Sequence, residues 1–194
     1  AQYADIKIGD TALVMGIGPI GLMAVEGARH LGAARIIAVG TRPICRQLAA
    51  EFGATDIISY KDGDVTEQVL SMTGGVGADS VIICGGGDEV FTQAVDMVRY
   101  GTGTISNVNY YGGTGMLGFP KFSGAREKAG KTIQTELAKG GRARIERLLA
   151  MVKYGRIDPQ KLVTHHLSGL DKVEDALYMM KEKPEDLVKV MVTI

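Results

Sequence analysis

Three glycines near the start of the chain have the spacing of a phosphate-binding turn. They lie in the stretch GIGPIG, residues 16–21, between the apolar stretch TALVM and the helix-period stretch IGLMAVEGARHL. Gly16 allows a tight turn, Gly18 lets the backbone approach a pyrophosphate, and Gly21 lets the helix pack closely on the strand. The free amides and the positive dipole at the start of the helix favour a bound phosphate. The motif therefore predicts a dinucleotide site, with a purely structural glycine turn as the alternative.

The end of the second predicted strand indicates which dinucleotide is bound. An Asp or Glu that bonds the ribose hydroxyls is expected about 20 residues beyond the glycines. This chain has Gly40 there, 19 residues after Gly21 (40 − 21). Glycine leaves room for a 2′-phosphate, which the Thr41 hydroxyl and the bidentate guanidinium of Arg42 could bind. The presence of glycine instead of an acid, followed by Arg42, favours NADP over NAD, unless Arg42 is only a solvated charge. Tyr60, after the third predicted strand, could flank the same phosphate or be a half-buried edge aromatic.

Short apolar runs alternate with helix-period segments along most of the chain, and Pro43 marks the start of one helix. Five or six strands, most of them followed by a helix, predict an α/β protein with a doubly wound parallel six-stranded sheet, the Rossmann fold. The predicted strands are Thr11–Met15, Arg35–Val39, Asp56–Ser59, Ser80–Cys84, Thr104–Asn109 and Lys131–Leu137, and the predicted helices are Ile20–Leu31, Pro43–Phe52, Val65–Met72 and Val90–Val98.

The last part of the chain has a different pattern, so we predict a nucleotide-binding domain over 1–141 and a C-terminal tail over 142–194. A tail of about 50 residues is too small to be a secure domain alone. The chain opens on Ala1 rather than Met. We therefore expect a fragment whose tail completes a domain formed by preceding residues. The tail's predicted elements are a helix over Arg142–Tyr154, an extended segment over Leu162–His166, a helix capped by Asp171 with Glu174 and ending at Lys181, and a strand over Leu187–Ile194.

Composition narrows the class of protein. The 194 residues carry 22 basic and 22 acidic side chains, which argues against a nucleic-acid-binding surface or a membrane-surface patch. Apolar residues make up 45% of the chain, without a run of about 18 that would span a membrane. Cys45 and Cys84 form no C-x-x-C pair, which is typical of a reducing compartment, and we expect a cytoplasmic protein.

Four longer stretches together resemble a specific family. They are GIGPIGLMAVEGARHLGAARIIAVGTRPIC, FGATDIISYKDGD, GTISNVNYYG and KLVTHHLSGLDKVEDALYMMKEKPEDLVK. In order and spacing they are similar to the NADP-dependent secondary-alcohol dehydrogenases, zinc-dependent members of the medium-chain dehydrogenase/reductase superfamily. The resemblance implies NADP as cofactor, a small alcohol or ketone as substrate, and a homo-oligomer, either a tetramer or a dimer.

The resemblance also implies cofactor-binding residues. Ile17, Gly18, Pro19 and Ile20, with Gly16 and Gly21, would line the pyrophosphate. The 2′-phosphate pocket would be formed by Gly40, Thr41 and Arg42, with Tyr60 beside them. The nicotinamide half would meet Gly85, Val108, Asn109, Tyr110 and Lys183. After Tyr111 the chain departs from the family pattern and lacks its Trp and His, which affects the expected substrate and subunit contacts.

The implied chemistry is hydride transfer between an alcohol carbon and nicotinamide C4, with zinc polarising the oxygen. In the family, the zinc ligands precede the part that corresponds to this chain. His165 and His166 would point to opposite faces of a strand, His30 lies at a helix end, and neither cysteine has a histidine at ligand spacing. We therefore assign no metal ligand and no catalytic residue to this chain. A zinc-free quinone or enone reductase and a non-catalytic NADP-binding module remain as alternatives.

Overall fold

The computed structural model of the chain describes residues 1–110, 130–135 and 140–194. Within them, six parallel strands form one sheet in the order β3-β2-β1-β4-β5-β6, and β7 and β8 form a separate parallel pair. The predicted α/β fold with a six-stranded parallel sheet is confirmed. The strands are β1 Thr11–Met15, β2 Arg35–Val39, β3 Asp56–Ile58, β4 Ser80–Ile83, β5 Thr104–Asn107, β6 Thr132–Thr135, β7 Val163–Ser168 and β8 Lys189–Thr193, and the helices are α1 Pro19–Leu31, α2 Pro43–Glu51, α3 Val65–Met72, α4 Glu89–Met97, α5 Arg142–Lys153 and α6 Val173–Glu182.

The central strands are apolar after their first residue, which suits a sheet with helices on both faces. Successive side chains point to opposite faces. In β1, Ala12 and Val14 pack with α1 and α2, whereas Leu13 and Met15 pack with α3 and α4. Each face therefore has its own hydrophobic core, and the two cores hold β1 and β4 fixed at the centre of the sheet.

Most helices and strands begin and end within one or two residues of their predicted bounds, because local sequence signals mark these ends. Pro43 begins α2, and the side chain of Asp64 accepts a hydrogen bond from the amide of Glu67 at the start of α3. The predicted cap of α6 is wrong, because Asp171 lies in a 3-10 turn and Lys172 occupies the cap position without a side-chain bond. The last two residues of the predicted sixth strand, 136–137, lie outside the described residues.

The tail contacts residues 1–110 through hydrogen bonds and through buried apolar side chains. His30 Nε2 is 2.7 Å from the carbonyl oxygen of Arg156, and Lys161 Nζ is 2.9 Å from Glu51 Oε2. Leu187 and Val188 are buried. Helix α5 buries none of its residues, and many apolar side chains of α5 and α6 are exposed. The tail is thus anchored on one side and has an apolar surface on the other. The predicted division into 1–141 and 142–194 remains a prediction.

None of the helices in the described part of the chain is long and apolar enough to cross a membrane.

Glu26 is a carboxylate buried in the middle of α1. Its Oε1 is 3.7 Å from Arg29 Nη2 and 4.0 Å from His30 Nε2, both at the limit of an ion pair. Burial raises the pKa of Glu26, and the nearby His30 and Arg29 only partly offset this effect. Since the folded state holds this proton more tightly than the unfolded chain, the stability that Glu26 contributes falls as pH rises through its folded pKa.

We therefore expect Glu26→Gln to raise the free energy of unfolding at neutral pH, by about 1 kcal/mol, the scale of one buried polar group. The difference from the parent protein should shrink as pH falls below the usual carboxyl range, where the Glu26 side chain is protonated in both states. Urea unfolding at several pH values measures this.

Glu51→Gln is the matched control, because the hydrogen bond from Lys161 lowers the pKa of Glu51. This substitution removes the charged hydrogen bond and should destabilise the protein at neutral pH. The effect should fade at acid pH, where Glu51 is protonated in the parent protein. A Glu26→Gln variant that is less stable than the parent at neutral pH would contradict the assignment.

Candidate cofactor site

A cleft of about 870 Å³ opens at the carboxyl ends of β1 and β4. The order of the sheet reverses between these two strands, because β2 lies on one side of β1 and β4 on the other. Ligands of doubly wound sheets bind at such switch points. Gly16 ends β1 with φ of 89°, and a Cβ built on it would lie 2.9 Å from the amide nitrogen of Gly85, which follows β4. The loops after the two strands therefore meet backbone to backbone at the floor of the cleft.

The start of α1 faces this cleft without a side-chain cap. Gly18 is the N-cap residue and Pro19 the first helical residue, and no side chain bonds the first amides. A Cβ on Gly21 would lie 1.8 Å from the carbonyl oxygen of Gly16, so the helix packs on the turn as closely as backbone allows. A helix N-terminus with open amides is a general anion site. The geometry suits a pyrophosphate.

Gly40 lies at the end of β2, with its amide bonded to the carbonyl of Ile58 at 3.0 Å. A Cβ on Gly40 would lie 2.1 Å from Cγ1 of Ile17 and 2.7 Å from its Cδ1. Ile17 is buried and belongs to the core that includes α1 and α2. The absence of an acid at this position therefore has a packing cause in addition to the one inferred from the sequence, because Ile17 fills the space of a side chain.

Three side chains surround Gly40 at the rim of the cleft. The hydroxyl groups of Thr41 and Tyr60 are 3.1 Å apart, and Tyr60 remains 62% exposed. The guanidinium of Arg42 donates from Nη1 to the carbonyl of Leu187 in the tail. Its Nη2 lies 4.0 Å from where a Cβ of Gly18 would be. Arg42 therefore reaches across the cleft toward the glycine turn.

At the other end of the cleft, Asn109 donates from Nδ2 to the carbonyl of Gly86 at 3.1 Å, which fixes the loop after β4. Cys84 also lines this end, and burial raises the pKa of its thiol to about 12. The thiol is therefore neutral at physiological pH and is not a nucleophile there. Lys183 lies at the end of α6 with φ of 52° and also lines the cleft.

The structure brings most of the predicted site residues together in this one cleft. Gly21 lies beneath the cleft and shapes the turn, Val108 packs against the core, and Tyr110 is 91% exposed; these three do not line it. The predicted residues that do line it are Gly16, Ile17, Gly18, Pro19, Ile20, Gly40, Thr41, Arg42, Tyr60, Gly85, Asn109 and Lys183.

Sequence reasoning missed several lining residues. Glu89 and Gln93 lie one turn apart at the start of α4, and their position directly after the glycine loop at the end of β4 could have indicated them. Met180 lies three residues before Lys183, and its proximity to that predicted residue could have indicated it. Leu187 and Val188 come from the tail, and no local pattern indicates that they fold back onto the cleft.

The described residues contain no group of three or more His, Cys, Asp or Glu side chains that could hold a metal ion. His165 Nε2 is 3.6 Å from Asp186 Oδ2, which makes a surface pair rather than a ligand set. The donors present in this part of the chain thus do not fit a catalytic zinc.

The family profile described as "Zinc-binding dehydrogenase" matches residues 19–145. The chain is 50% identical over its full length to the NADP-dependent isopropanol dehydrogenases of Entamoeba histolytica and Thermoanaerobacter brockii, covering 53% and 55% of those proteins. Alcohol dehydrogenase TADH from Thermus sp. ATN1 superposes with a TM-score of 0.86 at 30% identity, over 98% of this chain and 53% of that one. The 2R,3R-butanediol dehydrogenase of Bacillus subtilis superposes at 0.82 with 28% identity, over 100% and 53%. The chain spans about half the length of the curated relatives it matches.

The contact between Ile17 and Gly40 predicts a coupled pair of substitutions. Gly40→Ala alone should lower the free energy of unfolding by about 1–3 kcal/mol, the usual cost of overpacking. The same substitution in an Ile17→Ala background should cost less, because the atoms that it meets are gone. A double-mutant cycle from urea unfolding measures this coupling. Equal costs in the two backgrounds would show that the cost does not arise from the contact with Ile17.

Proposed function

Since this chain belongs to the zinc-binding dehydrogenase family, we propose that it is the NADP(H)-binding part of an enzyme that interconverts secondary alcohols and ketones by hydride transfer. The observation that carries the proposal is the rim of the cleft, where Gly40 replaces an acid and Thr41, Tyr60 and Arg42 surround the vacated position. The names of the two relatives that are 50% identical to this chain support the same cofactor and substrate class.

The described residues fit a dinucleotide. The open amides at the start of α1 would hold the pyrophosphate, since no side chain caps this end of the helix. Thr41, Arg42 and Tyr60 would hold the adenosine end, and Gly85 and Asn109 would bound the nicotinamide end. When bound, NADP supplies a carbon that accepts or releases hydride. The chain itself binds and orients this group and assists hydride transfer only by positioning.

The remaining parts of the enzyme are assigned to residues beyond this chain. Because the described donors do not fit zinc, its ligands would belong to the other half of the longer protein. The apolar side chains exposed on α5 and α6, and the isolated β7–β8 pair, are surfaces that such a half would cover. The whole protein would act on small alcohols and ketones. It would assemble as a dimer or tetramer and would lie in the cytoplasm.

Each alternative predicts a different property of the whole protein. A zinc-free quinone or enone reductase would contain no bound zinc and would reduce conjugated carbonyls without oxidising secondary alcohols. A non-catalytic NADP-binding module would bind cofactor and turn over neither class. The exposed apolar surface of the tail favours the enzyme, because an isolated module would leave that surface in water.

Cofactor preference tests the assignment of the rim. We expect the whole protein to bind NADPH more tightly than NADH, measured by nicotinamide fluorescence. Arg42→Ala should weaken NADPH binding roughly tenfold or more, since one charge-assisted contact contributes about 1.5–3 kcal/mol. Its affinity for NADH should change little. Equal binding of both cofactors by the parent protein would overturn the NADP assignment.

Zinc dependence tests the enzyme class. Removing zinc from the whole protein with a chelator should abolish oxidation of propan-2-ol, and adding zinc should restore it. Binding of NADPH should survive, because the described residues contain no group of three or more side chains that could hold a metal ion. Full alcohol oxidation by a protein that contains no metal would contradict the proposal.

A further inference from the structure

We propose that Arg46 is a second cation for the 2′-phosphate of the cofactor, on the opposite side of Thr41 from Arg42. The proposal rests on the proposed NADP site and adds a residue that neither the glycine motif nor the comparisons assign. It follows from a second cavity, from the position of Arg46 on α2, and from the way in which Arg42 is already engaged.

The second cavity is a shallow, open depression of about 420 Å³ that adjoins the cofactor cleft. Thr41 lines both, so this residue lies on the border between the two spaces. Its other lining residues come from α2 and from the loop after β3, and they are Pro43, Arg46, Ser59, Lys61 and Asp62. A phosphate held at Thr41 would therefore face Arg42 on one side and this cavity on the other.

The start of α2 places Arg46 beside the position where the acid is missing. Arg46 lies one helical turn after Arg42, and its amide bonds the Arg42 carbonyl at 3.0 Å. Its Nη1 is 3.5 Å from the carbonyl oxygen of Gly40, a contact at the outer limit of a hydrogen bond. A guanidinium has five N–H groups. The others have no hydrogen-bond acceptor among the described residues, so Arg46 retains donors for a phosphate.

Arg42 alone does not balance the charge expected here. It supplies one positive charge, and one of its N–H groups already donates to the carbonyl of Leu187. A phosphate monoester carries a charge of about −1.5 to −2 at neutral pH. In the second cavity, Arg46 and Lys61 supply two positive charges and Asp62 one negative charge, which leaves one net positive charge facing Thr41.

Arg46 also differs from the arginines that stabilise the fold. Arg35 pairs with Asp56 at 2.8 Å and Arg99 with Asp79 at 2.7 Å. In residues 1–110, 130–135 and 140–194, no carboxylate lies within ion-pair distance of Arg46. A partly buried arginine beside a cavity and without an acid partner is suited to an external anion.

The test uses Arg46→Gln in the whole protein, with NADPH, NADH, and adenosine 2′- and 5′-monophosphate as ligands. We expect affinity for NADPH and for the 2′-monophosphate to fall about tenfold, since a charged hydrogen bond is lost. Affinity for NADH and for the 5′-monophosphate should stay within twofold. Arg147→Gln, at an exposed position of α5, removes the same charge far from the cleft and should change none of the four.

Two further variants keep the test decisive if Arg46→Gln unfolds. Arg46→Lys retains the charge and should recover part of the NADPH affinity. Asp62→Asn removes the opposing charge in the same cavity and should raise NADPH affinity severalfold without changing NADH affinity.

Three outcomes count against the inference. Normal NADPH affinity in a folded Arg46→Gln variant, when Arg42→Ala has lost the preference, overturns the role of Arg46 and leaves the NADP site intact. Equal losses of NADPH and NADH affinity would mean that Arg46 only supports the helix, and would overturn it too. A parent protein with no preference for NADPH overturns the proposed cofactor together with this inference.

Discussion

The site depends on how closely three stretches of backbone approach one another at the switch point of the sheet. The turn at Gly16 lies against the loop at Gly85, and α1 lies against the same turn through Gly21. A Cβ on Gly16 would lie 2.9 Å from the amide nitrogen of Gly85, and a Cβ on Gly21 would lie 1.8 Å from the carbonyl oxygen of Gly16. A side chain at Gly16 would therefore separate the turn from the loop, and one at Gly21 would push the helix away from the turn. The contact can be this close because β1 and β4 are held between two packed cores. A rigid sheet thus places uncapped amides at the edge of an open cleft.

Selectivity for the adenosine end combines exclusion with attraction. The buried side chain of Ile17 occupies the space beside Gly40, which disfavours the acid that would bind an unphosphorylated ribose. In the proposed site, the positive groups on α2 and in the loop after β3 would attract a phosphate to the neighbouring space. The first effect operates over van der Waals distances and does not depend on salt, whereas the second is electrostatic and is screened. The two effects reinforce each other because both originate at the end of β2.

The sequence predicted the sheet and the glycine turn well because their signals are local. Buried parallel strands are continuous apolar runs, and Gly or Pro marks their ends, so β1 and α3 have the bounds that the pattern predicts. The contacts between distant residues could not be predicted in this way. Ile17 meets Gly40 across two strands, and Arg42 bonds a carbonyl 145 residues later.

One departure has a local physical cause. Asp171 does not cap α6, because the chain enters that helix through a 3-10 turn that shifts its start beyond Asp171. The role of Val108 at the nicotinamide end stays a prediction; its amide donates to the carbonyl of Ile83, and its side chain packs against the core. Pattern reasoning assigns a residue to a loop or strand end more reliably than it assigns the direction of its side chain.

The β7–β8 ladder has a consequence for handling the chain as a separate molecule. Parallel strands normally occur inside larger sheets that are covered on both faces, yet in the described residues this ladder has only two strands and much of its surface is exposed. Within the described part of the chain, neither outer edge has a further strand partner, so its amides and carbonyls can pair with another extended chain. When this chain is prepared alone, copies would thus associate by strand addition as the concentration rises. Its aggregation would then result from the tail and not from the six-stranded sheet.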